Sequence, residues 1–378
     1  MIMKAKSKVV AAGHICLDIT PVFPESCRGE MDEIFVPGRL INVDQARLTL
    51  GGSVSNTGLA MAFFGLDVRP LGKVGEDEFG AIAERMFKAH GVDRGLIHSP
   101  ESATSYSIVL SLPGKDRLFL HHPGANDTFS RADLDLESIK DAALFHFGYP
   151  PLMRRLYQND GQELFEIYRD VVEIGLVTSL DLAAVDAASE AGQVDWRAVL
   201  ARVLPWVDIF APSVEELLFM LNRERFDHLT REAGGRELTA VIDIEKDARP
   251  LAEEALRMGA GVVLIKCGEP GLYYHTASEG RINSLFEKLG RPLTGWADRA
   301  GFEPSYVPER VVSATGAGDV TIAAFLTALL KGFSLERCLQ FATAAGACCV
   351  TEHDSLSGLK DFGEMQEKID RGWKKREG

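Results

Sequence analysis

Short apolar, β-branched runs recur along the chain: KVVAAG, SIVLSL, RLFLHH, ALFHFG, LVTSLDL, DIFAP, VVLIKCG and GLYYH. Between several of them apolar residues return at helical spacing, as in SNTGLAMAFFG, EFGAIAERMFKAHG, LFEIYRDVVEIG, SVEELLFML and ARPLAEEALRMGAG. Strand-like runs alternating with helical ones predict a parallel sheet covered by helices on both faces. From 142 to 266 the order is strand, helix, strand, helix, strand, helix, strand, which marks the central sheet of an α/β fold.

Two stretches break this alternation. Residues from about 20 to 50 show no strong helical period, and 105–122 reads as two strands around Pro113-Gly114, a hairpin signal. Together they predict a small β-layer, either a lid over a cleft or an edge extension of the main sheet. Two charged or polar stretches, 222–250 and 276–309, read as insertions without a chemical motif. The second carries a helical run, INSLFEKLG.

Charge narrows the partners. The chain has 378 residues and a formal net charge of −14, with no dense Lys/Arg run. It is not built to hold nucleic acid or an anionic membrane. No apolar stretch reaches the ~18 residues of a membrane span. The start, MIMKAKSKVVAAGHICLD, runs straight from basic residues into a first strand at 9–12, without the apolar length of a signal peptide. A cytoplasmic location is expected. Six cysteines at 16, 27, 267, 338, 348 and 349 form no C-x-x-C motif and read as buried free thiols of a reducing compartment.

There is no P-loop, no protein-kinase motif set and no His-Glu-x-x-His. Gly51-Gly52-Ser53-Val54-Ser55 lacks the last glycine of a nucleophile elbow. What remains is SATGAGDVTIAAFLTALLKG at 313–332. First-turn amides of a helix lack intrahelical partners and carry the positive end of its dipole. Gly316-Ala317-Gly318 can form an anion nest there, with Asp319 at its edge to take a proton from a hydroxyl. The plainer reading is a glycine-rich turn with Asp319 as helix cap.

A second stretch has the same design: GGSVSNTGLAMAFFGLDVRPLGKVGEDEFG at 51–80, a diglycine turn opening a small-residue helix that bears Asn56. Taken with AAGHICLDIT, GANDTF, APSVEELLF and VVLIKCGEPGLYY in that order, the chain resembles the ribokinase-like carbohydrate kinases, the PfkB family, over nearly its whole length. The resemblance implies one kinase domain over 1–378. Its fold would be a central, mainly parallel sheet flanked by helices, with a small β-sheet lid built from 20–50 and 105–122. It implies transfer of the γ-phosphoryl group of ATP to a hydroxyl, with Mg²⁺.

Roles follow by matching residues. Asp319 matches the family's base, and Gly316, Ala317 and Gly318 its anion hole. Asp18, Gly51, Gly52 and Asn56 match substrate-contacting positions, with Asn126 reaching in from the end of the lid hairpin. A plain helix cap is the other reading of Asn56. Lys266 and Gly268 lie where the nucleotide-binding strand ends. Glu216 matches the glutamate that organises Mg²⁺, or is a first-turn glutamate favouring the helix dipole.

Two departures stand out. The family's Asn-x-x-Glu is Ser213-Val214-Glu215-Glu216 here, and Ser313-Ala314 replaces Asp-Thr before the anion hole. Uncharged Ser313 weakens the case for a monovalent cation there. The expected acceptor is a free sugar or polyol-like compound. A nucleoside would need walls such as Phe35, Tyr106, Phe119 or Tyr149, and a sugar phosphate would need Arg39, Arg47, Lys73, Arg117 or Arg154. A sensor that kept the fold without the reaction would have lost the base or the anion hole, and both are present. A homodimer through the exposed lid edge is the expected assembly.

Overall fold

The computed structural model describes residues 8–376 apart from Asp93, Asp116 and Leu293; the basic start at 1–7 lies outside them. Among the described residues fourteen strands follow in chain order. They are β1 (Lys8–Gly13), β2 (Cys16–Val22), β3 (Asp44–Gly51), β4 (Asp67–Leu71), β5 (Lys73–Gly75), β6 (Ile97–Ser99) and β7 (Tyr106–Leu110). Then come β8 (Leu118–His122), β9 (Leu144–Gly148), β10 (Val177–Asp181), β11 (Ile209–Phe210), β12 (Val262–Lys266), β13 (Gly271–Thr276) and β14 (Ala300–Pro304).

Eight of them form one sheet in the order β14-β13-β12-β11-β10-β9-β1-β4. Pairing is parallel from β4 to β12, and β13 and β14 close the far edge antiparallel. Strand alternation splits the core in two. Val10 and Ala12 face a cluster with Phe145, Phe147 and Leu180, over the helices Arg154–Glu173, Trp196–Val203 and Arg249–Arg257. Val9 and Ala11 face the other side with Leu144 and Val177, under the helices Ala317–Lys331 and Leu335–Cys349.

A second sheet, in the order β3-β2-β7-β8, draws its strands from 16–51 and 106–122. It starts at Cys16 rather than near residue 20, with only two residues between it and the end of β1. Much of 23–43 is not strand. Pro24 opens a 3₁₀ turn, and Glu30 and Glu33 cap the short helix Met31–Ile34. Every residue of the edge strand β8 is exposed.

The stretch 222–250 is helical, with Arg223–Ala233 and a π turn at Ile244–Ala248. The stretch 276–309 is more than an insertion, because it supplies β14 of the main sheet. Its helix, Glu279–Leu289, sends Arg281 and Lys288 to the fully buried Asp208 at 2.8 and 2.7 Å. All six cysteines are free; five are buried, and Cys27 is partly exposed at the turn it ends.

Candidate active site

Chain direction along the main sheet reverses at β1. From there the chain reaches β4 on one side, while β9 starts the run toward β14 on the other. Ligand clefts open outside the carboxyl ends of strands at such a point. The residues just beyond these ends are His14 and Tyr149.

The helix Ala317–Lys331 points its first turn into this region. Gly316 caps it at φ 74°, ψ 0°. A Cβ there would lie 2.6 Å from Cβ of Ser355, so both backbone and space require glycine. The amide of Ala317 turns back to the carbonyl of Ala314 at 3.2 Å. Gly318 and Asp319 are the first-turn amides with no carbonyl a turn earlier in the helix. Of the expected Gly316-Ala317-Gly318 set, the amide of Ala317 is thus already paired. Gly318 has no positive φ; a methyl on it would meet Cδ of Lys266 at 3.3 Å and Nζ at 3.6 Å.

Asp319 is not the cap, since Gly316 holds that position. Asp319 is 2 % exposed, and its carboxylate accepts three bonds. Oδ2 accepts from Tyr149 OH at 2.7 Å and Asn56 Nδ2 at 3.0 Å, and Oδ1 from Thr57 Oγ1 at 3.0 Å. Burial raises its affinity for a proton, while the bond from Tyr149, the Lys266 charge and the bonds from Asn56 and Thr57 oppose that rise. Asn56 and Thr57 belong to the helix Ser53–Phe63, whose cap is Gly52, so Asn56 is not a cap either. Ser355 Oγ donates to Asn56 Oδ1 at 3.1 Å and fixes which end of the amide faces Asp319.

Lys266 ends β12 and reaches Asp181, at the end of β10, with a 2.5 Å ion pair. Glu216 lies in the first turn of the helix Val214–Leu221, in a reciprocal capping box with Ser213 (2.7 and 3.2 Å). Burial disfavours the charge on Lys266, but Asp181, Glu216 and Asp319 outweigh it and hold the ammonium charged. Burial drives Asp181 well above the usual carboxylate range; Lys266 opposes this, and Glu216 and Asp319 reinforce it. Three carboxylates thus surround one ammonium, and Oδ2 of Asp181 is buried without a hydrogen-bond partner. Such a donor set, short of positive charge, fits a divalent cation. Among the described residues no three acidic, His or Cys side chains form an all-protein cage. Gly268, two residues past Lys266, turns at φ 66° against Thr239.

In the second sheet, Asp18 lies on β2 against Gly51, where a Cβ would collide with its Oδ2. Cys16 Sγ donates to its Oδ1 at 3.3 Å. Burial raises the Asp18 carboxyl above the usual range, against the bonds from Cys16 and Ser107 and the charge of Arg117. Asn126 does not reach the cleft. Its fully buried amide accepts from Ile15 N at 3.2 Å and donates to Ile15 O at 2.9 Å, fixing the turn between β1 and β2.

Sequence reasoning passed over Thr57, Asp181 and Ser355, and weighed Tyr149 only as a wall for a base. It also missed His14, which is 2 % exposed with neither ring nitrogen bonded, its ring 5.4 Å from that of His121 on the lid. One signal was available: His14, Asp181 and Tyr149 all stand at or next to the carboxyl end of a parallel strand.

The model of the pfkB family carbohydrate kinases matches residues 6–361. The chain belongs to that family. Fructokinase-1 of Oryza sativa subsp. japonica is 25% identical to this kinase over 319 residues, covering 82% of this chain and 84% of its own. A fructokinase of Xylella fastidiosa, solved with bound ATP, superposes at a TM-score of 0.70 with 19% identity over 97% of this chain and 99% of its own. A ribokinase of Arabidopsis thaliana, complexed with ribose and ATP, superposes at 0.69 with 20% identity over 96% and 98%. The kinase has the ribokinase fold expected of it, a mostly parallel sheet flanked by helices. Among the described residues no helix is long and apolar enough to cross a membrane.

Proposed function

We propose that the kinase transfers the γ-phosphoryl group of ATP to a hydroxyl of a free sugar, with Asp319 as general base. The observation that carries this is a buried carboxylate in the first turn of the Gly316-capped helix, beside two unpaired amides and the Lys266 ammonium. The acceptor O–H meets the open lone pair of Oδ1. Its proton passes to Asp319, its oxygen bonds to phosphorus, and the phosphorus–oxygen bond to ADP breaks. The Gly318 and Asp319 amides and Lys266 face the charge on the transferring group. Glu216 and Asp181 would hold Mg²⁺, which would supply positive charge to offset that of the phosphates.

Asp18 and Gly51 form the sugar end, where one carboxylate can accept from two neighbouring hydroxyls. The sheet of β2, β3, β7 and β8 acts as a lid that excludes water during transfer. An ATP-consumption screen of sugars, phosphorylated sugars and nucleosides tests the acceptor class. Turnover on nucleosides alone would overturn the sugar reading, and none with any acceptor would overturn the kinase mechanism.

Asp18→Ala is expected to weaken sugar binding while leaving ATP binding near normal. Each charge-assisted hydrogen bond lost is worth on the order of 1.5–3 kcal/mol. Because burial raises the Asp18 carboxyl, sugar affinity should start to fall above the usual aspartate range as pH is lowered. Separate calorimetric titrations decide it; equal losses for both ligands would make Asp18 a fold residue.

The lid edge suits a second copy of the chain. Leu118, Phe119 and Leu120 stand exposed in a row on β8. Phe119→Glu is expected to turn a dimer into a monomer in light scattering. A monomeric parent protein would remove this reading.

A further inference from the structure

Asp319 has an unexpected companion in Tyr149. The phenol donates to Oδ2 at 2.7 Å, closer than Asn56 or Thr57. Tyr149 directly follows β9, at φ 67°, ψ 39°. The other non-glycine residues with positive φ among those described are Asn159, Asp160 and Asp298, types that tolerate it. For an aromatic residue this conformation is costly and needs surroundings that enforce it. Here the Tyr149 amide donates to Asp181 O at 3.2 Å, its carbonyl accepts from Leu152 N at 3.0 Å, and its ring lies 6.2 Å from that of His14.

We propose that Tyr149 is a positioning residue for phosphoryl transfer: its hydroxyl occupies Oδ2 of Asp319, so that Oδ1 alone is left to take the acceptor's proton. This rests on the reading of Asp319 as base. A carboxylate has about four acceptor sites. Tyr149 and Asn56 fill those of Oδ2 and Thr57 takes one on Oδ1, which leaves one. The proton can arrive there without displacing the phenol, because Tyr149 can donate to Oδ2 before and after transfer. A phenol ordinarily loses its proton only near pH ~10, so Tyr149 stays a donor over the working range.

The bond favours the ionised carboxylate and works against burial. Facing Asp319 are Tyr149 after β9, Asn56 and Thr57 from their helix, Lys266 from β12, and Asp181 from β10. Glu216 and Cys349 face it from the helices Val214–Leu221 and Leu335–Cys349. His14, held down at about 3 by burial and then by His121, is neutral throughout the working range. Removing the phenol donor takes a bond from the charged form alone, so the Asp319 carboxyl must rise further.

Tyr149→Phe isolates the hydroxyl, since it keeps the ring and the backbone. The acidic limb of kcat/KM should move up by about one pH unit, the worth of one charge-assisted bond. kcat should fall on the order of tenfold, a modest share of what a positioned base contributes, with both KM values and the melting temperature little changed. An unmoved limb would reduce Tyr149 to packing. A lower acceptor KM with undiminished kcat would show instead that the hydroxyl blocks the acceptor's place. Asp319→Asn, measured alongside, separates the two levels. If it keeps turnover, the base reading itself fails; if it is inactive while Tyr149→Phe leaves the limb in place, only the role of Tyr149 fails.

Discussion

Asp319→Asn is expected to lower turnover by about 10²–10⁴, the usual contribution of a positioned general base, while ATP affinity, sugar affinity and melting temperature stay near those of the parent protein. The local bonding explains why the fold should tolerate the change. With its amide oxygen in the place of Oδ2, the asparagine still accepts from Tyr149 and Asn56. Its NH₂ then faces Thr57, whose hydroxyl rotates to accept. The Thr57 proton must turn to another acceptor, such as the carbonyl one turn back in its helix, and the capacity to take a proton is lost. Turnover with titrated ligand affinities and thermal melts checks this. Near-normal turnover would leave the carboxylate as a structural acceptor and remove the mechanism proposed above. A collapse of stability instead would mean that the three bonds cannot be re-formed around an amide.

What the chain's patterning made legible was the frame. Apolar runs between helical periods marked β9 to β12 correctly, because strands buried on both faces are mostly apolar and pair the polar side chains they do carry, as His146 with Ser179. Gly316 and Asp319 stood out because an apolar helix has no packing reason to open that way. β14 was hidden because an edge strand, half in solvent, can be as polar as Ala300–Pro304, with a glycine and a proline in five residues. The contacts around Asp319 were hidden for another reason. Tyr149 lies 170 positions from it and Asn56 lies 263. No local pattern records that the ends of β9 and of the Gly316 loop meet. Asn126 misled in the opposite direction. It sits just past the β7–β8 hairpin, but the Ile15 backbone, one residue past His14, claims both ends of its amide.

Lys266→Met should damage both stability and catalysis, and the two effects can be separated. Asp181 is fully buried, and its ion-pair partner among the described residues is Lys266. Removing one member of a buried pair leaves an uncompensated charge, at a cost of about 3–5 kcal/mol. The cost should depend on pH. Burial already raises the Asp181 carboxyl, and losing the ammonium raises it further. The folded variant therefore binds a proton at a pH where the unfolded chain does not, and it gains stability as pH falls through that raised value. The stability gap to the parent protein should narrow on acidification. Adding Asp181→Asn removes the buried charge, so the double variant should recover most of the lost melting temperature. Turnover should not recover. The ammonium that stood against Gly318 would still be missing, a preorganised group worth about 10²–10³ in rate, and the proposed Mg²⁺ carboxylate of Asp181 would be lost with it. Melting curves at two pH values and turnover for the single and double variants decide the matter. A double variant that regained turnover with its stability would show that Lys266 serves only to neutralise Asp181, and the phosphoryl group would then need another cation.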